Sequence, residues 1–185
     1  MKVGLYFGSF NPVHNGHLAI AKFLNEKKLF DQIWLVVSPN NPLKNEEELM
    51  AEHQRLNLVK AAIQDEPYLR ACDVEFALPK PSYTIDTLHI LEKQYPDYTF
   101  SLILGADNLQ HFRQWKNYKE ILEHYLIYVY PRGEKTDETV IRHPHIVLLD
   151  APLLPISATE IRDLIKKKMP VNEYLPDAVK QILIQ

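Results

Sequence analysis

Apolar residues recur along this chain in two different rhythms. Short, dense apolar runs at Val3–Phe7, Ile33–Val37, Tyr98–Leu104 and Tyr125–Tyr130 are rich in β-branched and aromatic residues. They predict strands buried on both faces, the pattern of a parallel sheet. Leu69–Phe76 and His145–Leu149 are further strand candidates. Between these runs, apolar positions return at helical spacing over Leu18–Glu26, Ala51–Ile63, Ile85–Gln94, Asn108–Phe112, Tyr118–Leu122 and Thr159–Lys168. A last helix is expected from Pro176 to Ile184, because proline is tolerated in a first helical turn. Strands alternating with helices imply right-handed βαβ units. The expected fold class is α/β, a doubly wound parallel sheet with helices on both faces. Ser38–Asn45, rich in breakers, and the polar stretch Pro131–Pro144 read as loops after strands, where an open α/β sheet places its ligand contacts.

Composition narrows this picture in a few ways. The 185 residues are 46% hydrophobic and 24% charged, which suits one domain over residues 1–185 with residues 150–185 as a C-terminal helical segment. A net charge of −3 argues against a general nucleic-acid partner, so anionic ligands must be met by local clusters. Cys72 is the only cysteine. It allows no internal disulfide and no cysteine-rich zinc site, which fits a reducing compartment. No apolar stretch is long enough to span a bilayer, and no signal-peptide pattern follows Met1. The expected location is the cytoplasm, with no membrane partner. A second copy of the chain is left open as a partner.

The densest chemistry lies at the first strand-to-helix junction, Gly8-Ser9-Phe10-Asn11-Pro12-Val13-His14-Asn15-Gly16-His17-Leu18. Gly8 and Gly16 let backbone approach a phosphate without a Cβ in the way. The amides opening the next helix offer partial positive charge to an anion. His14 and His17 add hydrogen bonds where negative charge accumulates. The segment is neither a P-loop nor Gly-x-Gly-x-x-Gly. Two histidines at this spacing lack a third protein ligand, so no metal site is expected there. A second anchor lies near the C-terminus, Ile156-Ser157-Ala158-Thr159-Glu160-Ile161-Arg162. Ser157 with Glu160 is a capping-box pattern. The same helix start, with two hydroxyls and an arginine one turn in, also suits a polyphosphate.

Both segments resemble signatures of the nucleotidyltransferases that carry a His-x-Gly-His core, the second as Ile-Ser-Ser/Ala-Thr-x-Ile-Arg. Further stretches resemble one branch, the nicotinate mononucleotide adenylyltransferases. They are Ser82-Tyr83-Thr84-Ile85-Asp86-Thr87-Leu88, Leu104-Gly105-Ala106-Asp107-Asn108-Leu109 with Phe112 and Trp115, and Tyr174–Val179. Pro42-Leu43-Lys44 departs from that branch's Pro-His-Lys at Leu43, and Tyr130-Pro131-Arg132-Gly133 varies its Arg-Pro-Gly order. Arg55 matches an arginine on the helix after the loop, although pairing with Glu52 would also explain it.

The resemblance implies a Rossmann-like fold and adenylyl transfer from ATP to nicotinate mononucleotide, with Mg²⁺ accompanying ATP. The alternatives are another phosphate acceptor, nicotinamide mononucleotide or phosphopantetheine, and a non-catalytic nucleotide-binding module. The resemblance assigns catalysis to His17, His14, Lys44 and Arg162. It assigns ATP contacts to Gly8, Ser9, Phe10, Gly16, Gly105, Asp107, Ser157, Thr159 and Arg162. The mononucleotide falls to Thr84, Trp115, Lys116 and Arg132. Ser82 and Thr84 also read as helix caps, Asp107 as a cap for a helix at Asn108, and Trp115 as core.

Overall fold

The computed structural model describes residues 1–39, 49–131, 138–152, 155 and 157–184. Lys44 and Arg132 lie outside these residues. The chain runs β1 (Lys2–Gly8), α1 (Asn15–Glu26), β2 (Gln32–Val37), α2 (Glu52–Ala62), β3 (Leu69–Cys72), α3 (Thr84–Gln94), β4 (Thr99–Gly105), α4 (Ala106–Leu109), α5 (Tyr118–His124), β5 (Ile127–Tyr130), α6 (Glu138–Ile141), β6 (Ile146–Leu148), α7 (Ala158–Lys166) and α8 (Asp177–Leu183). Its strands form one parallel sheet in the order β3-β2-β1-β4-β5-β6. The doubly wound expectation is met.

The strands are apolar on both faces because each face has its own core. Ile33, Leu35 and Val37 of β2 join Tyr6 and Ile103 in a layer packed with α1, α2 and α8. Trp34 and Val36 join Val3, Leu5, Leu102 and Leu104 in the opposite layer with α3 and α5. This alternation is the two-residue period of a strand expressed against two helical layers. Gly4 is part of the same packing, since a Cβ there would meet Ile103 at 2.7 Å and Phe30 at 2.9 Å.

Several elements differ from their sequence pattern. The expected strand over Leu69–Phe76 stops at Cys72 and becomes a 3₁₀ turn, Val74–Ala77. Glu75 turns inward there to hydrogen-bonding partners that a continued strand would not reach. The helix read at Asn108–Phe112 is α4, which starts two residues earlier, followed by a separate 3₁₀ turn at Phe112–Gln114. Tyr125 closes α5 rather than opening β5, which begins at Ile127. The stretch read as a loop to Pro144 contains α6.

In a sheet of this order, β1 and β4 are neighbours whose connections leave in opposite directions. The crevice beyond their C-terminal ends is where such folds bind ligands. Register pairs Tyr6 with Ile103, so Gly8 and Gly105 close the two strands side by side at that crevice.

Candidate active site

The turn from β1 to α1 is held in an unusual shape. Phe10 is buried at φ 45°, in the left-handed region, and the Asn11–Pro12 peptide is cis. The glycine at position 8 has a packing reason, because a Cβ there would stand 2.9 Å from the Phe10 ring. The space expected to admit a phosphate beside Gly8 is therefore occupied on its Cβ side by an aromatic ring. Gly16 is buried within the first turn of α1.

The turn is then clamped from two directions. Arg55 is 0% exposed. Its guanidinium donates to the carbonyls of Ser9 (2.5 Å), Ser38 (2.8 Å), Pro39 (2.9 Å) and Met50 (2.9 Å). It ties the end of β1, the end of β2 and the start of α2 together. Burial pulls its proton affinity below the usual arginine range, and nearby Glu52 partly offsets this. The exposed Arg55–Glu52 pairing considered from sequence is not formed as an ion pair; Glu52 pairs with Lys80 at 2.6 Å. From the other side, Arg162 donates to the Asn11 carbonyl at 2.8 Å and to the Thr159 hydroxyl at 3.3 Å. The Asn15 amide donates to the Tyr174 carbonyl at 2.8 Å, and the Asn15 side chain to the Glu173 carbonyl at 2.9 Å. The two anchors seen in the sequence are thus in direct contact.

His17 sits inside this clamp in an aromatic box. The His14 ring stacks on it with centroids 3.7 Å apart, and Phe10 and Tyr6 meet it edge-on at 5.0 and 6.0 Å. Behind the box the Tyr6 hydroxyl donates to the Tyr130 hydroxyl at 3.1 Å. The His14 amide donates to His17 Nδ1 at 3.2 Å. That bond needs the Nδ1 lone pair, so the ring hydrogen resides on Nε2. His17 is thereby oriented as an Nε2–H donor. The opening amides of α1 are less available than a bare helix start suggests. Asn15 N–H goes to Tyr174, and His17 N–H to the His14 carbonyl at 2.9 Å.

The expected capping box at α7 is present. The Ser157 hydroxyl accepts from the Glu160 amide at 3.2 Å and donates to Glu160 Oε2 at 2.7 Å. A carboxylate already rests against this helix start. On β4, Gly105 caps α4, and a Cβ there would strike the Asp107 carboxylate and approach the Tyr130 ring at 3.1 Å. Asp107 lies in the first turn of α4 and accepts from Asn108 Nδ2 at 3.2 Å, so it is not the cap weighed from sequence.

Beside the turn, a cavity of about 240 Å³ opens between Phe7–Ser9, Leu104 and Asn108 on the sheet side and Ser82–Thr84 and Gln114–Lys116 on the other. Trp115 is half-buried against Phe112 at 5.3 Å and lines this space. Thr84 is the first residue of α3, so the amide N–H groups of the opening turn lack acceptors within their own helix. The Lys116 side chain is committed to Asp86, reaching its two oxygens at 2.9 and 2.8 Å above the Tyr83 ring. Ser82 and Thr84 are not caps, because the cap position is Tyr83 and carries no side-chain bond. Glu75 was not singled out from sequence. It is 2% exposed, lines the cavity and accepts from the Ser82 and Thr87 hydroxyls at 3.0 and 2.8 Å. Burial raises its proton affinity above the usual carboxylate range, against hydrogen bonds from Thr87, Ser38 and Ser82 that lower it.

Comparison with known proteins finds a family and full-length relatives. The family described as cytidylyltransferase-like matches residues 5–164. A Cytophaga hutchinsonii protein named probable nicotinate-nucleotide adenylyltransferase is 46% identical over 184 residues, covering 100% of this chain and 96% of that protein. One of the same name from Flavobacterium psychrophilum is 48% identical over 181 residues, covering 97% and 94%. The solved structure of Plasmodium falciparum nicotinic acid mononucleotide adenylyltransferase complexed with NaAD superposes with a TM-score of 0.84 at 23% identity, covering 99% of this chain and 94% of that one.

Proposed function

The chain belongs to the cytidylyltransferase-like family, and on that premise we propose that it joins ATP to nicotinate mononucleotide, giving nicotinate adenine dinucleotide and pyrophosphate in NAD biosynthesis. The name carried by relatives 46% and 48% identical over nearly their whole length supports this activity. The observation that carries the site assignment is the meeting of the two anchors, Arg162 on the Asn11 carbonyl at 2.8 Å. That contact sets a cation beside the turn that orients His17, with a separate ring-sized cavity adjacent.

The reaction needs no protein nucleophile. A phosphate oxygen of the mononucleotide attacks the α-phosphorus of ATP in line. The bond from that phosphorus to the bridging oxygen of the β-phosphate breaks, and pyrophosphate leaves with the electron pair. Catalysis is then positioning and charge stabilisation. His17 donates its Nε2–H to an α-phosphate oxygen as charge builds, with the stacked His14 holding the ring. Gly8, Ser9, Phe10 and Gly16 shape the turn around the triphosphate, and Gly105 and Asp107 approach the adenosine. Arg162, Thr159 and Ser157 hold the departing phosphates, which take the place of Glu160 at the start of α7. Lys44 and Arg132 supply further positive charge.

The nicotinate ring stacks on Trp115. Its carboxylate takes the amides of Thr84 and Lys116, the Lys116 ammonium being held by Asp86. An amide ring would leave those N–H donors facing an NH₂ group, which favours the acid. The side chains at the triphosphate end are imidazoles, hydroxyls and a guanidinium, a set suited to phosphate oxygens. Among the described residues no three His, Cys, Asp or Glu side chains are grouped to hold a metal ion. If Mg²⁺ accompanies ATP, phosphate oxygens and water would hold it. Among the described residues no helix is long and apolar enough to cross a membrane. A cytoplasmic location fits this reading.

A panel of acceptors assayed for pyrophosphate release tests the substrate. Purified protein with ATP and Mg²⁺ is offered nicotinate mononucleotide, nicotinamide mononucleotide or phosphopantetheine. Fastest turnover with the nicotinate compound is expected. A higher kcat/KM with phosphopantetheine would overturn the assignment.

A further inference from the structure

Glu75 stands where an apolar side chain would pack without the cost of burying an acid. It lies on the 3₁₀ turn after β3, and its partners share one geometric property. Ser82 precedes the Tyr83 cap of α3, and Thr87 is the fourth residue within that helix. In many helices these two positions carry apolar residues that clasp each other and fix the angle at which the chain enters the helix. Here both are buried hydroxyls, 8% and 0% exposed. They are clasped through a third residue, with Ser82 donating to Glu75 Oε2 at 3.0 Å and Thr87 to Oε1 at 2.8 Å. Thr87 Oγ1 is 3.3 Å from the Tyr83 carbonyl, so the shorter bond to Glu75 takes its hydrogen. Tyr83 provides no side-chain cap. Ser38, just beyond β2, lines the same cavity as Glu75, and its own carbonyl is held by Arg55.

We propose that Glu75 is a positioning residue for the mononucleotide cavity: it clasps the hydroxyls flanking the start of α3, and so sets where the Thr84 amide stands relative to the opposite wall at Ser38 and Ser9. This deepens the nicotinate reading and rests on it. Glu75 touches neither ATP nor the reacting phosphates in this scheme, so its influence falls on one substrate.

The test uses Glu75→Gln, Thr87→Val and Thr87→Ser in the full-length enzyme, with separate KM values for ATP and nicotinate mononucleotide. Losing one buried hydrogen bond is expected to raise the mononucleotide KM about tenfold in Glu75→Gln and in Thr87→Val. The KM for ATP and kcat should stay within about twofold, since neither reports on the α3 start. The preference for acid over amide mononucleotide should fall by a similar factor. Thr87→Ser, which keeps the hydroxyl, should restore the wild-type KM. If Glu75→Gln does not fold, the Thr87 pair decides the matter alone. Parallel changes in both KM values and kcat, or an unchanged mononucleotide KM in Thr87→Val, would overturn the proposal. Trp115→Ala is run alongside. If it leaves the mononucleotide KM unchanged, the ring cavity itself is misassigned. If it raises that KM while the clasp variants do not, only the role of Glu75 fails.

Discussion

Replacing Arg55 by methionine should destabilise the protein more than any other single polar substitution near the site. Methionine keeps most of the side-chain volume, so the perturbation is the loss of a guanidinium that serves the carbonyls of Ser9, Ser38, Pro39 and Met50. An orphaned buried acceptor costs about 1–3 kcal/mol. Ser9, Ser38 and Met50 are half-buried and Pro39 is buried; taking the low end for each, the four together give about 4 kcal/mol. Relief of the desolvated charge offsets only a part of the loss, and because hydrogen bonds from a charged donor are individually worth about 1.5–3 kcal/mol the net loss stays near about 4 kcal/mol. That is a large share of the roughly 5–15 kcal/mol that keeps a domain folded. For a chain of this size it lowers Tm by about 8–16 °C. Urea unfolding followed by circular dichroism is the assay, with the midpoint falling at unchanged slope. Arg55→Lys, with a point charge and three donors, should recover only part of the loss. A loss below about 1 kcal/mol in Arg55→Met would refute the idea that this guanidinium holds the strand ends together.

Two other outcomes follow from the same geometry. Gly8→Ala places a Cβ 2.9 Å from the Phe10 ring, which itself packs on His17 at 5.0 Å. A shift in that stack should lower kcat by about ten- to a hundredfold, and an unchanged kcat would show that the ring yields without disturbing His17. Because burial raises the proton affinity of Glu75, the folded protein keeps a proton that the unfolded chain releases. Wild-type stability should therefore fall as pH rises from the ordinary carboxylate range through the raised folded value. Glu75→Gln should lack that slope, and identical stability–pH curves for the two proteins would contradict the burial effect.

The sheet was legible because its central strands are buried on both faces and written as unbroken apolar runs. Val3–Phe7, Ile33–Val37 and Tyr98–Leu104 fall within a residue of the observed strands at every end. The failures have a common cause. Leu69–Phe76 reads as one strand because its apolar count hides Glu75, whose inward turn depends on hydroxyls 7 and 12 residues away. Arg55 looks like a surface helix partner because nothing local reveals that three strand-end and loop carbonyls, and one at the start of its own helix, converge on it. The anchors were visible as compact patterns, and the Ser157–Glu160 capping box with them, yet the occupation of the Asn15 amide by Tyr174 required coordinates. Lys44 and Arg132 lie outside the described residues.

The most direct measurement is steady-state pyrophosphate release by folded His17→Ala with ATP and nicotinate mononucleotide. Loss of a single donor aimed at developing charge should cut kcat by about two to three orders of magnitude, with a circular dichroism spectrum like that of the wild type. Turnover close to wild type in that folded variant would contradict the claim that the Nε2–H of His17 stabilises the transferring phosphate.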